Sequence, residues 1–357
     1  MKERVKAGGK MYRNCLLNLG LVFVLLVTLI LPVNSANVIT LNGAGATFPY
    51  PIYSKWFDEY HKIKPEIQIN YQSIGSGGGI RQILERTVDF GATDGPMNDE
   101  QLAKSNEKLL HIPTVLGAVV PVFNIAGIKN LSLSEKALAE IYLGKITNWN
   151  NEEIQKTNPG VKFPNLPITV VHRSDGSGTT YCFVDYLSKI NSEWKEKVGS
   201  GTSVNWPIGL GSKGNEGVSG LIKQTPNSIG YVELIYAEQN KLPYAAVRNA
   251  SGKFIKASIE TVTEEAKGSA STMPKDFRVS ITNSQGENAY PISTYTWLLV
   301  YGNMQGKKGE ILKSFLAWML DEGQKVAPAL GYAPLPLEVV NMVKKAVEGI
   351  NITNLKA

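Results

Sequence analysis

The chain is poor in the groups on which most site chemistry depends. Its 357 residues include two cysteines, Cys15 and Cys182, and three histidines, His61, His111 and His172. The histidines have no metal-ligand spacing and no cysteine partners, so neither a metal centre nor another cofactor is expected. Cys15 lies in the N-terminal leader described below. That leaves one cysteine in the mature chain and excludes an internal disulfide. Cys182, followed by Phe183-Val184, reads as a packing residue rather than a nucleophile.

Two catalytic loop types are missing as well. A nucleotide P-loop needs Gly-x-x-x-x-Gly-Lys-Ser/Thr, and no Gly-Lys-Ser or Gly-Lys-Thr occurs: Gly144-Lys145 is followed by Ile146 and Gly252-Lys253 by Phe254. A nucleophile elbow needs Gly-x-Ser-x-Gly. Ser177 has Asp175 two residues before it, Ser76 has Ile74 and Ser212 has Leu210. A strong charge bias is also absent. The formal net charge is +6, but residues 1–36 carry five basic side chains and one acid. Taking that +4 away leaves about +2 for residues 37–357, which gives no reason to expect nucleic-acid binding.

Long apolar runs are missing except at the start. Lys2, Arg4, Lys6, Lys10 and Arg13 precede an apolar run from Leu19 to Leu31, and Pro32-Val33-Asn34-Ser35-Ala36 supplies small residues for cleavage. The pattern is that of a secretory signal peptide over 1–36, cut after Ser35 or Ala36. The run is short of the roughly 20 residues that cross a bilayer. A lipid-modified cysteine would end it, whereas Cys15 precedes it.

What remains is an alternation of strand-like and helix-like stretches. Residues 38–41, 67–71, 88–93, 119–125 and 168–171 read as strands. Apolar stripes at Ile52, Tyr53, Trp56, Phe57 and Tyr60, at Ile80, Ile83 and Leu84, at Phe183 to Ile190, at Ile311 to Met319 and at Val339 to Ile350 read as helices. Ser132 with Glu135 fits a capping box opening a helix before Tyr142. The alternation predicts an α/β fold with mostly parallel sheets.

One theme recurs: a Gly/Ser/Thr loop between a strand and a helix, at residues 43–48, 75–79, 175–179 and, less clearly, 209–217. A helix N-terminus offers unpaired N–H groups and a partial positive charge. Glycines allow close backbone approach and hydroxyls add donors, so several such loops aimed at one point make an oxyanion cradle with few cations. Any one of them alone reads more readily as a plain turn or helix cap. Arg173 offers planar donors to an oxyanion. Asp175, two residues on, is placed to accept from the same guanidinium; the plainer reading is a solvated ion pair. Asp94 follows a strand and precedes a turn, where an Asx-type turn is the plain alternative.

The stretches "GAGATFPYPIYSKW" (43–56), "IGSGGGIRQI" (74–83), "VDFGATDGPM" (88–97), "IYLGKITNWN" (141–150), "RSDGSGTTY" (173–181), "WPIGLGSKGNEGV" (206–218) and "IGYVE" (229–233) occur in this order. Together they resemble the periplasmic phosphate-binding proteins of bacterial high-affinity phosphate ABC transporters, from about residue 39 to about 345. The resemblance implies a type II periplasmic binding protein fold: two α/β lobes joined by two hinge crossings. One lobe would span 37–118 plus 290–357 and the other 119–289. It implies a phosphate site made by Thr47, Phe48 (through its backbone N–H), Ser76, Asp94, Arg173, Ser177, Gly178 and Thr179, with Asp175 orienting Arg173. His172 stands where an arginine is common in the family and touches no ligand position. The implied role is high-affinity periplasmic binding of inorganic phosphate by a monomer. Delivery is to the inner-membrane permease subunits of an ABC importer and their ATPase. Within that reading, an ionised Asp94 accepts the proton that phosphate still carries at neutral pH, and sulfate, which has none, is rejected. Two alternatives stand beside it: a secreted phosphatase or phosphoryl-transfer enzyme using the same cradle, and a binder of sulfate, molybdate or another oxyanion. The missing metal set and nucleophile motif weigh against the first. Nothing in the chain speaks to an added sensor or adhesin role.

Overall fold

The computed structural model describes residues 38–353. The leader and its cleavage points lie outside the described residues. One eight-stranded sheet carries the fold. In chain order its strands are β1 (Ile39–Gly45), β2 (Ile67–Ser73), β3 (Phe90–Thr93), β4 (Leu109–Asn124), β5 (Thr169–Arg173), β6 (Leu210–Ser212), β7 (Ser228–Glu233) and β8 (Ser293–Tyr301), arranged β2-β1-β3-β8-β4-β7-β5-β6. The helices that matter for the site are α1 (Tyr50–Ile63), α2 (Ser76–Leu84), α3 (Glu135–Tyr142), α4 (Gly178–Ile190), α5 (Gly214–Gln224), α6 (Gly306–Trp318) and α7 (Leu337–Glu348).

The flanks of the sheet are parallel, as the strand–loop–helix rhythm predicts: β1 pairs with β2 and β3, and β5 with β6 and β7. Its centre is not. β8 runs antiparallel to both β3 and β4, and β4 runs antiparallel to β7. The reason is the length of β4. Its first part pairs with β8 as far as Ala118↔Ser293, and its second part pairs with β7 from Val119↔Glu233 onward. One 16-residue strand therefore belongs to both halves of the sheet, and β8 returns beside it. β4 is buried almost throughout, which accounts for its mostly apolar sequence around His111 and Thr114.

The helical stripes fall in helices, except that Met319 opens a π-helical turn after α6 and Ile350 lies beyond the end of α7. In α1 the buried side chains are Ile52, Tyr53, Trp56, Phe57 and Tyr60. Pro51 sits in the first turn, where no N–H is required of it, and the helix stops before Lys64-Pro65. α4 buries Cys182, Phe183, Val184 and Leu187, so Cys182 is a packing residue. The helix before Tyr142 corrects the expected cap. Ser132 is a strand residue paired with Ala246, and its N–H and C=O are bound by the Asn158 side chain. Ser134 is the N-cap of α3, its Oγ accepting from the Ala137 N–H at 3.1 Å.

Candidate functional site

All four of the Gly/Ser/Thr loops meet at one place. After β3 the chain turns at Asp94. The turn is held by Thr93, whose hydroxyl donates to the Gly95 carbonyl and accepts from the Gly95 N–H. The Asp94 carboxylate is thereby released from local turn duty. Its Oδ1 accepts from the Thr296 hydroxyl of β8 at 2.9 Å. The Asp94 N–H donates to Ser76 Oγ, at the first residue of α2. The Gly178 N–H, at the first residue of α4, donates to the same oxygen at 3.0 Å.

Gly178 must be a glycine for this to happen. A Cβ there would lie 2.6 Å from Asp94 Cβ, from the Asp94 N and from Ser76 Oγ. Gly75, which precedes α2 at φ +88°, is under the same pressure, since a Cβ would come within 2.4 Å of Asp175 Oδ2. The loops also bond directly, the Gly77 N–H donating to the Gly176 carbonyl.

Arg173 ends β5 with its side chain 1% exposed. Its guanidinium makes a fork with Asp175, Nε to Oδ1 at 2.8 Å and Nη2 to Oδ2 at 2.6 Å, and Nη1 reaches Thr179 Oγ1 at 3.4 Å. Asp175 also accepts from the Gly214 N–H. The pair is bidentate and largely shielded from solvent, so the fork fixes the guanidinium plane. Partial burial works to raise the Asp175 pKa, but the hydrogen bonds and charge of Arg173 outweigh it and hold the carboxyl below its usual range.

Asp94 is 1% exposed. Burial pushes it up to about 7, against the opposing pull of the Thr296 hydrogen bond, the Arg173 charge and Ser76. A lone buried carboxyl among donors is chemically specific: it can hold one proton or accept one.

The remaining expected residues fall around this core. Thr47 Oγ1 accepts from the Asn215 N–H and from Asn215 Nδ2, and Nδ2 also donates to Thr179 Oγ1. The Thr47 carbonyl accepts from the Tyr236 hydroxyl and the Phe48 carbonyl from the Tyr332 hydroxyl. Phe48 is fully buried, its ring against Gly117. The Ser177 hydroxyl caps its own helix by accepting from the Thr180 N–H at 3.0 Å. His172 stacks on Trp206, ring centroids 4.8 Å apart.

Asn215 and Thr296 were not singled out from the sequence. Asn215 lies inside the "WPIGLGSKGNEGV" stretch, so that motif was its only signal. Glu233, behind Asn215, is a fully buried carboxyl raised well above its usual value by burial; its Oε2 caps the Ile235 N–H.

A cavity of about 570 Å³ opens elsewhere, between Leu109–Ile112, Lys275–Phe277 and Gly302. Its one imidazole, His111, accepts from the Met97 N–H, and burial drives it down to about 3, so it stays neutral there. Among the described residues no group of three or more His, Cys, Asp or Glu is placed to hold a metal ion. No helix among them is long and apolar enough to cross a membrane.

Residues 32–322 match the PBP superfamily domain. The phosphate-binding protein PstS of Haemophilus influenzae is 46% identical over 319 residues, which cover 88% of this chain and 93% of that protein. The phosphate-binding protein PstS of Xylella fastidiosa is 45% identical, over 86% of this chain and 84% of that one. Among solved structures, the phosphate-binding protein of Stenotrophomonas maltophilia superposes with a TM-score of 0.66 at 20% identity, covering 86% of this chain and 93% of that one. That likeness speaks to the fold.

Proposed function

The chain belongs to the PBP superfamily and, within it, to the PstS phosphate-binding proteins, and from that membership we propose that it binds inorganic phosphate with high affinity in the periplasm and delivers it to an ABC-type importer. The observation that carries the proposal is the buried carboxyl of Asp94, set among Ser76, Gly178 and Arg173. Donors alone would take any oxyanion. A carboxylate at the same point needs a proton from the ligand, and at neutral pH phosphate has one while sulfate has none.

The ligand set follows from the same reading. Phosphate would be held by the hydroxyls of Thr47, Ser76, Ser177 and Thr179, the N–H of Phe48, the close backbone of Gly178, whose N–H fixes Ser76 Oγ, and Arg173, which Asp175 aims. Asp94 takes the ligand's proton in a hydrogen bond. A site built around such a bond rejects the analogue lacking it by about 10⁴–10⁵, because an unpaired buried charge is costly.

The lobes are assigned as 37–118 plus 290–357 and 119–289. The change of partner along β4 at Ala118/Val119 supports that division. Loops 43–48 and 75–79, with Asp94, then come from one lobe, and 173–179 from the other. Closure of the lobes on phosphate is the signal offered to the permease. The protein acts as a monomeric binding component rather than an enzyme, reaches the periplasm by way of a cleaved leader, and has no nucleic-acid partner.

The test is a calorimetric titration of the mature protein with phosphate, arsenate and sulfate. Phosphate is expected to bind tighter than sulfate above pH 8, where Asp94 is ionised; comparable affinities there would sink the reading. A phosphatase assay with and without divalent metal is expected to show no turnover, and turnover would restore the enzyme alternative.

A further inference from the structure

We propose that Asn215 is a positioning residue that sets the proton direction of the cradle, obliging the Thr47 and Thr179 hydroxyls to donate toward the bound anion. The inference rests on the phosphate reading above and deepens it.

The argument is an inventory of donors and lone pairs. A hydroxyl has one hydrogen and two acceptor positions. Asn215 is fully buried at the start of α5. Its Oδ1 accepts from the Glu233 backbone N–H at 3.0 Å. A backbone N–H can only donate, so the oxygen of the amide must face Glu233 and the NH₂ must face the threonines. Both amide hydrogens are then committed, one to Thr47 Oγ1 at 2.8 Å and one to Thr179 Oγ1 at 3.1 Å.

Thr47 Oγ1 receives a second N–H from the Asn215 backbone at 3.2 Å. Thr179 Oγ1 receives a second from Arg173 Nη1 at 3.4 Å. Both acceptor positions of both hydroxyls are therefore filled by N–H groups. Each hydroxyl hydrogen is left to find an acceptor, and among the described residues neither donates to a protein group. Ser76 is treated the same way by two backbone N–H groups, from Asp94 and Gly178. The backbone can direct Ser76 because α2 and α4 meet there. Thr47 and Thr179 stand on separate loops, and one side chain reaches both.

The consequence is selective. A freely rotating hydroxyl can also accept, and so can serve a protonated ligand oxygen. Hydroxyls locked as donors cannot. The ligand's one proton is thereby left to Asp94.

The test is phosphate calorimetry on wild type, Asn215→Ala, Asn215→Asp and Thr47→Val, with Thr47→Val also placed in both Asn215 backgrounds. Circular dichroism checks that each variant is folded, and either folded Asn215 variant suffices. Asn215→Asp preserves shape and the Glu233 contact but replaces the donor by an acceptor. Asn215→Ala is expected to weaken phosphate about ten- to a hundred-fold, the range for a lost hydrogen bond to a charged group. Thr47→Val should cost about tenfold or more in wild type but under about twofold in the Asn215→Asp background, because there the hydroxyl already points away from the anion. A purely structural role, or simple charge repulsion from the new carboxylate, would leave the Thr47→Val cost at its wild-type value in both backgrounds. That result, or wild-type affinity in Asn215→Ala, overturns the inference while leaving the phosphate reading intact. Failure of wild type itself to bind phosphate removes both.

Discussion

Two aspartates stand at this site, both feel the charge of Arg173, and they are tuned in opposite directions. Asp175 is forked to the guanidinium and held below the ordinary carboxylate range. Asp94 sees the same guanidinium only as a charge, has one hydroxyl partner on its carboxylate, and is pushed by burial to about 7. Residue type is the same and the neighbourhood decides the role. Asp175 is a fixed anion that aims a cation. Asp94 is poised to give up or hold a proton at working pH, and that suits it to tell a protonated ligand from an unprotonated one.

The largest effect should come from cutting the fork. Arg173→Ala leaves Asp175 half-buried without its partner and takes the only cation from the cradle. Loss of a charge-assisted contact to the anion costs about 1.5–3 kcal/mol, so phosphate affinity should fall by roughly 10–10² or more by calorimetry. Arg173→Lys should recover little of it, since an ammonium cannot make the fork. Unchanged affinity in Arg173→Ala would place the fork outside the site.

The two carboxyls should also leave opposite marks on stability. Asp94 has a folded pKa above its ordinary 3.8, so its contribution is fully present below pH 3.8 and lost as pH rises through about 7. Relative to wild type, Asp94→Asn should therefore gain stability between pH 4 and pH 7. The gain is at most about 4 kcal/mol for a shift of about three units, at 1.36 kcal/mol each. Asp175 has a folded pKa below 3.8, so its contribution is present above that value and lost as pH falls through the folded pKa. Asp175→Asn should fall behind wild type at pH 6 and draw level in strong acid. Thermal melts in phosphate-free buffer read both, since a bound ion would mask the difference. Parallel pH profiles for the two variants would end the contrast.

Much of this was legible in the sequence, and the parts that were not share a cause. The strand–loop–helix loops, the Arg173-Asp175 spacing and the stripe of α1 are local patterns, and local patterns survive folding. The partner of Asp94 is not local: Thr296 lies 202 residues away and is brought beside it by β8. The antiparallel centre escaped for the same reason, because β4 changes partner midway without any change in its apolar run. Asn215 sat in a recognisable stretch, but its task is defined by Thr47 and Thr179, which come from two other loops. The misplaced cap shows the reverse failure. Ser132 and Glu135 have capping-box spacing, yet Ser132 was already claimed by a strand and by Asn158.

The finest test of the contrast between the carboxyls uses sulfate. Sulfate brings no proton, so it binds well only to the fraction of molecules in which Asp94 is already protonated. With the Asp94 pKa near 7, that fraction is high and nearly constant at pH 5–6. It falls about tenfold per pH unit well above 7, so sulfate affinity should drop by about fiftyfold between pH 7 and pH 9, or ~2.3 kcal/mol. Phosphate should fall less over the same span, because its dibasic form carries the proton that the ionised carboxylate needs. Asp94→Asn should flatten the sulfate profile while keeping affinity for the ion, since an amide can donate at every pH. The fork at Asp175 serves as the internal control: its carboxyl is ionised throughout this range, so Asp175→Asn should shift both anions' affinities down together and leave the slope of the sulfate curve unchanged. A sulfate curve equally steep in Asp94→Asn would mean that some other group carries the proton, and the division of labour between the two aspartates would have to be redrawn.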